Sequence, residues 1–162
     1  KNNLNKEIPR IPISKNFKNF TEIGKKLANI HLNIDDIEEN KDVKVVYDIN
    51  DKNNKNFFSV EKMIFKGKRN NLNKDTIIYN QYIRIENIPL SSYNYVINGK
   101  SAIEWVMERQ RIVKNDVTKI INNANDYASE TIKDPKYPLK LLLKVISLSI
   151  ETQKLINKLP KL

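Results

Sequence analysis

The spacing of apolar residues divides the chain into helices at its two ends and short strands between them. Phe17, Phe20, Ile23, Leu27 and Ile30 recur every three or four positions, which predicts an amphipathic helix from Phe17 to Leu32. Val43-Lys44-Val45-Val46-Tyr47 is rich in β-branched and aromatic residues and predicts a strand. Phe57 to Phe65 reads as a second strand, and Thr76 to Tyr79 with Tyr82 to Ile88 as one or two more. Near the C-terminus, Leu139 to Leu159 is apolar nearly all round, through Leu142, Leu143, Val145, Ile146, Leu148 and Leu155. That pattern predicts a buried helix, with Pro138 at its first position and Pro160 as its stop. Lys140, Lys144, Glu151 and Lys154 interrupt the run and argue against a membrane span.

The stretch from Tyr93 to Arg109 carries the clearest local signals. An extended run over Tyr93 to Ile97 leads into a glycine turn, Asn98-Gly99-Lys100, and then into a helix. Ser101 is placed as its N-cap, and Glu104 three positions on completes a capping box. Ala102, Ile103, Trp105, Val106 and Met107 form a wide apolar arc, with Glu104, Glu108 and Arg111 on the other side. Arg109 falls inside the arc, four residues after the only Trp, where a guanidinium can lie on the indole.

Polar punctuation fills the gaps. Residues 1–15 contain Ile8-Pro9-Arg10-Ile11-Pro12-Ile13 and predict an extended connector. Asp35-Asp36-Ile37-Glu38-Glu39 reads as a solvated acidic turn, Asp48 to Asn56 as a loop, and Arg111 to Asn115 as a basic irregular segment. Lys66-Gly67-Lys68-Arg69-Asn70-Asn71-Leu72-Asn73-Lys74-Asp75 reads as a basic loop too long for a tight hairpin. The prediction is one α+β domain over residues 1–162. A short antiparallel sheet from residues 43–97 is packed by an N-terminal helix, a central Trp-bearing helix and a long buried C-terminal helix.

Charge narrows the partners. The formal net charge is +10 and the sequence pI about 9.6, which points to a polyanion. Only Arg10, Arg69, Arg84, Arg109 and Arg111 are arginines; the other basic residues are lysines, in a chain rich in Asn and Ile. An AT-rich coding bias would impose the same profile on any protein, so both readings stand on composition alone. With no cysteine, disulfides and thiolate metal sites are excluded, and a cytoplasmic, reducing setting is expected. There is no signal peptide, and the lack of an initiator Met predicts excision from a longer polypeptide.

The missing chemistry is informative too. Gly24, Gly67 and Gly99 are the only glycines, too few for a phosphate-cradling loop. No Cys nucleophile or G-x-S-x-G elbow occurs, and His31, at a helix C-terminus, reads as a dipole-matched surface residue. The chain alone is expected to catalyse nothing and to hold no metal. What it offers is the basic segment 66–75, whose Lys, Arg and Asn side chains are the types that reach guanine and adenine edges. A mobile surface loop would have the same composition.

Several motifs, in order, resemble one family. They are Ile8-Pro9-Arg10-Ile11-Pro12; Leu27-Ala28-x-x-His31-Leu32; Lys62-Met63-x-Phe65; Thr76-Ile77-Ile78-Tyr79-Asn80; Ile88-Pro89-Leu90; Tyr95-Val96-x-Asn98-Gly99-Lys100-Ser101-Ala102-Ile103-Glu104-Trp105; and Val145-x-x-x-Ser149-x-Glu151-Thr152. Together they resemble the C-terminal specificity domain of single-polypeptide, translocating (type ISP) restriction–modification enzymes, over essentially the whole chain. One departure is Asn122-Asn123-Ala124-Asn125-Asp126-Tyr127, where the family commonly shows Asn-Asp-Pro-Asn-Asp-Trp.

The resemblance implies a parent with a nuclease, an ATP-driven translocase and an adenine-N6 methyltransferase, using S-adenosylmethionine, ATP and Mg2+, none of them bound by this chain. The implied partners are double-stranded DNA and the upstream methyltransferase and motor domains, with no membrane. The implied function is selection of the DNA site for methylation and restriction; the alternative is a docking module between methyltransferase and motor. Motifs shared by proteins that read different sites suit scaffold rather than readout. The candidate DNA contacts are therefore Lys66, Lys68, Arg69, Asn70, Asn71 and Lys74 in the basic segment, and Arg111, Lys114 and Asn115 after the Trp helix. Asn98 and Lys100 are cast as phosphate or positioning contacts.

Overall fold

The computed structural model describes residues 15–48, 54, 56–68 and 70–160. Most of the connector expected over residues 1–15, and Arg69, lie outside the described residues. Helix α1 spans Phe17–Leu32, as the periodicity requires. Its apolar stripe is only half-buried: Phe20, Ile23, Leu27 and Ile30 lie against helix α4, Tyr137–Asn157, while Phe17 and Leu32 stay exposed.

Helix α4 is the core of the molecule. Pro138 sits in its first turn, and ten of its residues are buried, with Leu142 and Ile146 fully enclosed. Against it packs a four-stranded antiparallel sheet of β1 (Lys44–Tyr47), β2 (Ile64–Lys68), β3 (Asn71–Ile78) and β4 (Ile83–Glu86), ordered β1-β4-β3-β2. Ile85 faces Val45 on one side and Ile77 on the other, so apolar residues align across the central strands. Val60, Met63, Ile77, Tyr79, Ile83, Ile103, Met107 and Leu142 join one continuous apolar core. The fold is α+β, as expected.

Three strand expectations are corrected. Phe57 to Phe65 is not a strand: Phe57 and Phe58 lie in a turn, and pairing starts only at Ile64. Asn80 holds that turn by donating from Nδ2 to the carbonyls of Phe57 and Ser59, both at 2.9 Å. Asn125 grips Val60 at both its N–H (2.9 Å) and its C=O (2.8 Å). The carbonyls and N–H that a strand would pair are thus satisfied by side-chain amides.

Secondly, residues 66–75 are not a long loop. Lys66 faces Asn73, Gly67 faces Leu72 and Lys68 faces Asn71, so these residues pair as an extended hairpin. The register shifts between Phe65 and Lys66, and Gly67 adopts φ 115°. Thirdly, the sheet ends at Glu86. Leu90–Asn94 forms a short 3-10 turn, and only Val96–Ile97 (β5) of the expected run is extended, paired with β6 (Lys100–Ser101). Asn98 at φ 48° and Gly99 at φ 84° make the two-residue turn that suits a twisted hairpin.

Helix α2, Ala102–Arg109, begins with the predicted capping box: Ser101 Oγ accepts from the Glu104 N–H at 3.2 Å, and Glu104 Oε2 accepts from the Ser101 N–H at 3.0 Å. Arg111 to Asn115, expected to be irregular, instead enters a third hairpin, β7 (Val113–Lys114) with β8 (Ile121–Asn122). Asn115 closes its turn by accepting at Oδ1 from the N–H groups of Val117 (3.0 Å) and Thr118 (2.9 Å). The chain then passes through α3 (Ala124–Asp126) and a π-helical turn, Tyr127–Ile132, into α4.

Candidate nucleic-acid interface

The polar face of α2 is the place where distant candidates converge. Glu104 and Glu108 lie one turn apart on it, and each holds a lysine from another element. Lys74 of β3 reaches Glu104 at 3.0 Å and also lies 5.6 Å and 5.3 Å from the ring centres of Phe65 and Tyr93. The Tyr93 hydroxyl donates to the Lys74 carbonyl at 2.7 Å, and burial raises its phenol far above the ordinary value. Lys100 pairs with Glu108, and its ammonium lies 4.9 Å from the Trp105 ring centre. Arg109 lies 5.5 Å from the same indole, the contact the four-residue spacing predicts, and Trp105 Nε1 donates to the Ile97 carbonyl at 2.7 Å.

These partners set the state of the carboxylates. Partial burial pushes the Glu104 carboxyl up, but hydrogen bonds from Ser101 and Lys74, with the Lys74 charge, hold it below the ordinary value. The Lys100 hydrogen bond, then the charges of Lys100, Arg111 and Arg109, depress Glu108. Glu104 and Glu108 are therefore ionised at neutral pH, and the salts they form fix the β2–β3 and β5–β6 hairpins to α2.

Around this face run two adjoining concavities. One, of about 360 Å³, is lined by Lys62, Phe65, Lys100, Glu104, Glu108 and Arg111. The next, of about 470 Å³, shares Glu108 and Arg111 and adds Arg109, Asn115, Thr118 and Asn122. Lys100, Arg111 and Asn115 are thus brought to one surface, with Lys74 beside it through Glu104.

The other candidates are distributed differently. Lys66, Lys68, Asn70 and Asn71 stand exposed on the β2–β3 arm, and Lys114 is exposed on β7. Asn98 belongs to another, apolar groove of about 460 Å³, whose walls include His31, Tyr95, Trp105, Val145 and Leu148. There His31 bonds the Leu27 carbonyl at 2.7 Å and the Tyr95 hydroxyl at 2.8 Å.

Two features were not singled out from sequence. Lys62 lines the concavity with Lys100 and Arg111, although it reads in sequence only as part of a scaffold motif. A groove of about 610 Å³ lies beside it, bordered by Asn54, Asn56, Lys62, Asn80, Gln81 and Asn125. The density of amides in these segments was the available signal. Among the described residues no group of three His, Cys, Asp or Glu could hold a metal ion, and no helix is long and apolar enough to cross a membrane.

Known proteins give this surface a context. Residues 1–141 match the family described as the Type ISP C-terminal specificity domain. No curated protein sequence matches the chain. Among solved structures, it is similar to the ATP-dependent Type ISP restriction–modification enzyme LlaBIII bound to DNA, with 36% identity and a TM-score of 0.81; the match covers 95% of this chain and 10% of that one. It is also similar to a nuclease-deletion mutant of the Type ISP enzyme LlaGI in complex with a DNA substrate mimic, with 37% identity and a TM-score of 0.81, covering 96% of this chain and 14% of that one. The DrdV–DNA complex, at 18% identity and a TM-score of 0.72, shares the fold; that match covers 99% of this chain and 16% of that one. The chain spans about a tenth to a seventh of the length of its Type ISP neighbours. By sequence family and by fold, it belongs to the Type ISP C-terminal specificity domains.

Proposed function

We propose that this chain is the duplex-DNA recognition module of a single-polypeptide restriction–modification enzyme, selecting the site for adenine-N6 methylation and for restriction. The observation that carries the reading is the meeting of Lys62, Lys100 and Arg111 in one concavity, continuous with the Asn115 turn and flanked by the β2–β3 arm. Two neighbours more than a third identical in sequence were solved with DNA or a DNA mimic.

On this reading the candidates divide the labour. Lys66, Lys68, Asn70 and Asn71 on the arm, with Arg69, Arg111 and Lys114, supply the base-edge and phosphate contacts. Lys74 and Lys100 are tied to carboxylates and act as positioning groups. Asn115 does the same, because both acceptor positions of its amide oxygen are taken within the turn. Asn98 shapes the turn that carries Lys100. S-adenosylmethionine, ATP and Mg2+ are assigned, as the family resemblance implies, to the remainder of a larger polypeptide. A target adenine would be flipped into the methyltransferase while this domain grips the flanking duplex.

The test is enrichment of a randomised duplex library on the chain, followed by fluorescence anisotropy of the selected and a scrambled duplex across a salt series. The reading expects a selected sequence and affinity that falls steeply with salt. Arg111→Ala should then cost about 1–3 kcal/mol on the selected duplex only, and Lys66→Ala should weaken both duplexes alike. The second reading, a docking module between methyltransferase and motor, draws on the apolar groove beside Trp105. It expects no selected sequence and salt-insensitive protein contacts.

A further inference from the structure

The β7–β8 hairpin carries an apolar load that the fold does not use. Within residues 112–121, Ile112, Val113, Val117, Ile120 and Ile121 are all exposed, with Val117 at 90% and Ile120 at 67%. Aliphatic side chains presented this fully at a projecting tip point to something that covers them. The tip is also held rigid. Besides the two bonds to its side-chain oxygen, Asn115 donates its own N–H to the Ile120 carbonyl at 2.9 Å, and its carbonyl accepts from the Lys119 N–H at 2.8 Å. Lys119 adopts φ 61°, and the root is pinned where the Ile112 N–H donates to the Glu61 carbonyl at 2.9 Å. Val117 is therefore presented outward from a hydrogen-bonded turn.

What flanks the tip identifies its partner. Arg109, Arg111, Lys114 and Lys119 surround it, against Glu108 and Asp116, and Glu108 is already paired with Lys100. An apolar protein groove would need an acidic rim to match this cationic collar, whereas every nucleic acid presents phosphates around an apolar stack of bases. The collar is also continuous with the concavity of Lys62, Lys100 and Arg111. A two-stranded ribbon fits a DNA groove, and aliphatic wedges are a known means of parting stacked bases, at a cost offset by the extra contacts of the deformed duplex.

We propose that the β7–β8 hairpin enters a groove of the bound duplex and that Val117, backed by Ile120, wedges into a base step and partly unstacks it. The inference rests on the DNA-recognition reading. It adds a site next to the recognised bases where sequence is sensed through the ease of parting two base pairs rather than through hydrogen bonds.

The experiment uses the duplex enriched on the chain, with 2-aminopurine placed singly at each adenine along it. The expected result is increased fluorescence at one position or two neighbouring positions on binding. Val117→Ser and Ile120→Ser should lose that increase yet still bind, and Val117→Leu should keep it. An increase unchanged in both serine variants, or no increase anywhere with the wild-type chain, overturns the wedge and leaves DNA recognition intact. A library that enriches nothing removes the recognition reading and the wedge with it. Full retention of DNA binding by the serine variants, with loss of binding to the upstream methyltransferase and motor domains, would assign the hairpin to protein docking instead. Circular dichroism and thermal unfolding of each variant separate these outcomes from misfolding, which is not expected at a side chain 90% exposed.

Discussion

Helix α4 and the β7–β8 hairpin are held together by opposite means. The helix buries ten side chains, mostly aliphatic, against residues far away in sequence, and has few polar ties to the rest of the molecule. In the hairpin, every residue from 111 to 122 is exposed, and its shape comes from hydrogen bonds among neighbours a few positions apart. A non-local apolar frame fails as a unit when one piece is removed. A local polar turn keeps its form whatever its outward side chains are. On the proposed function, folding and recognition are therefore written in different residues.

The comparison breaks most visibly at the centre of α4. Ile146→Ala should cost about 2–5 kcal/mol in urea unfolding, because the surrounding side chains cannot fill the space. Asn125→Ala comes next. It leaves both the N–H and the C=O of Val60 without partners, at a cost of about 1–3 kcal/mol per unsatisfied buried group. Ser101→Ala removes the cap of α2 and should cost about 0.5–2 kcal/mol in the same measurement.

The capping carboxylate also gives the frame a pH dependence. Glu104 is held below its ordinary value in the folded chain, so the unfolded chain takes up the proton more readily. Its contribution is complete above the ordinary carboxylate range and is lost as pH falls through the folded value. Urea midpoints should therefore fall on acidification, and Glu104→Gln should flatten that limb. At the other extreme, Lys68→Ala and Val117→Ser should move unfolding by no more than about 0.5 kcal/mol, with their effects confined to DNA binding. A large loss of stability in either would show that the rim is part of the frame.

What sequence reveals follows the same division. Helix α1, the capping box and the Arg109–Trp105 contact are legible because their partners lie within a turn or two. The strand misreading at Phe57 arises because Asn80 and Asn125 intercept its backbone groups from 23 and 65 residues away. These amides fall in two of the segments compared with the family pattern, and here they clamp backbone rather than face solvent. The arm from Lys66 to Lys74 resembled a loop because a projecting hairpin has no buried face and so no apolar alternation. Lys74 looked free for the same kind of reason: Glu104 lies 30 residues from it, and pairing at that distance leaves no local signature.

Gly67 has a consequence for how such a domain changes its target. Any side chain there would collide with the Asn71 carbonyl, on a backbone that already favours glycine. The course of the arm at Gly67 is thus locked, while Lys66, Lys68, Asn70 and Asn71 around it are exposed. The arm works like a tool holder: the shank is fixed and the bits are interchangeable. On the proposed function, a new preference for bases can then arise one substitution at a time, with the old fold intact at each step.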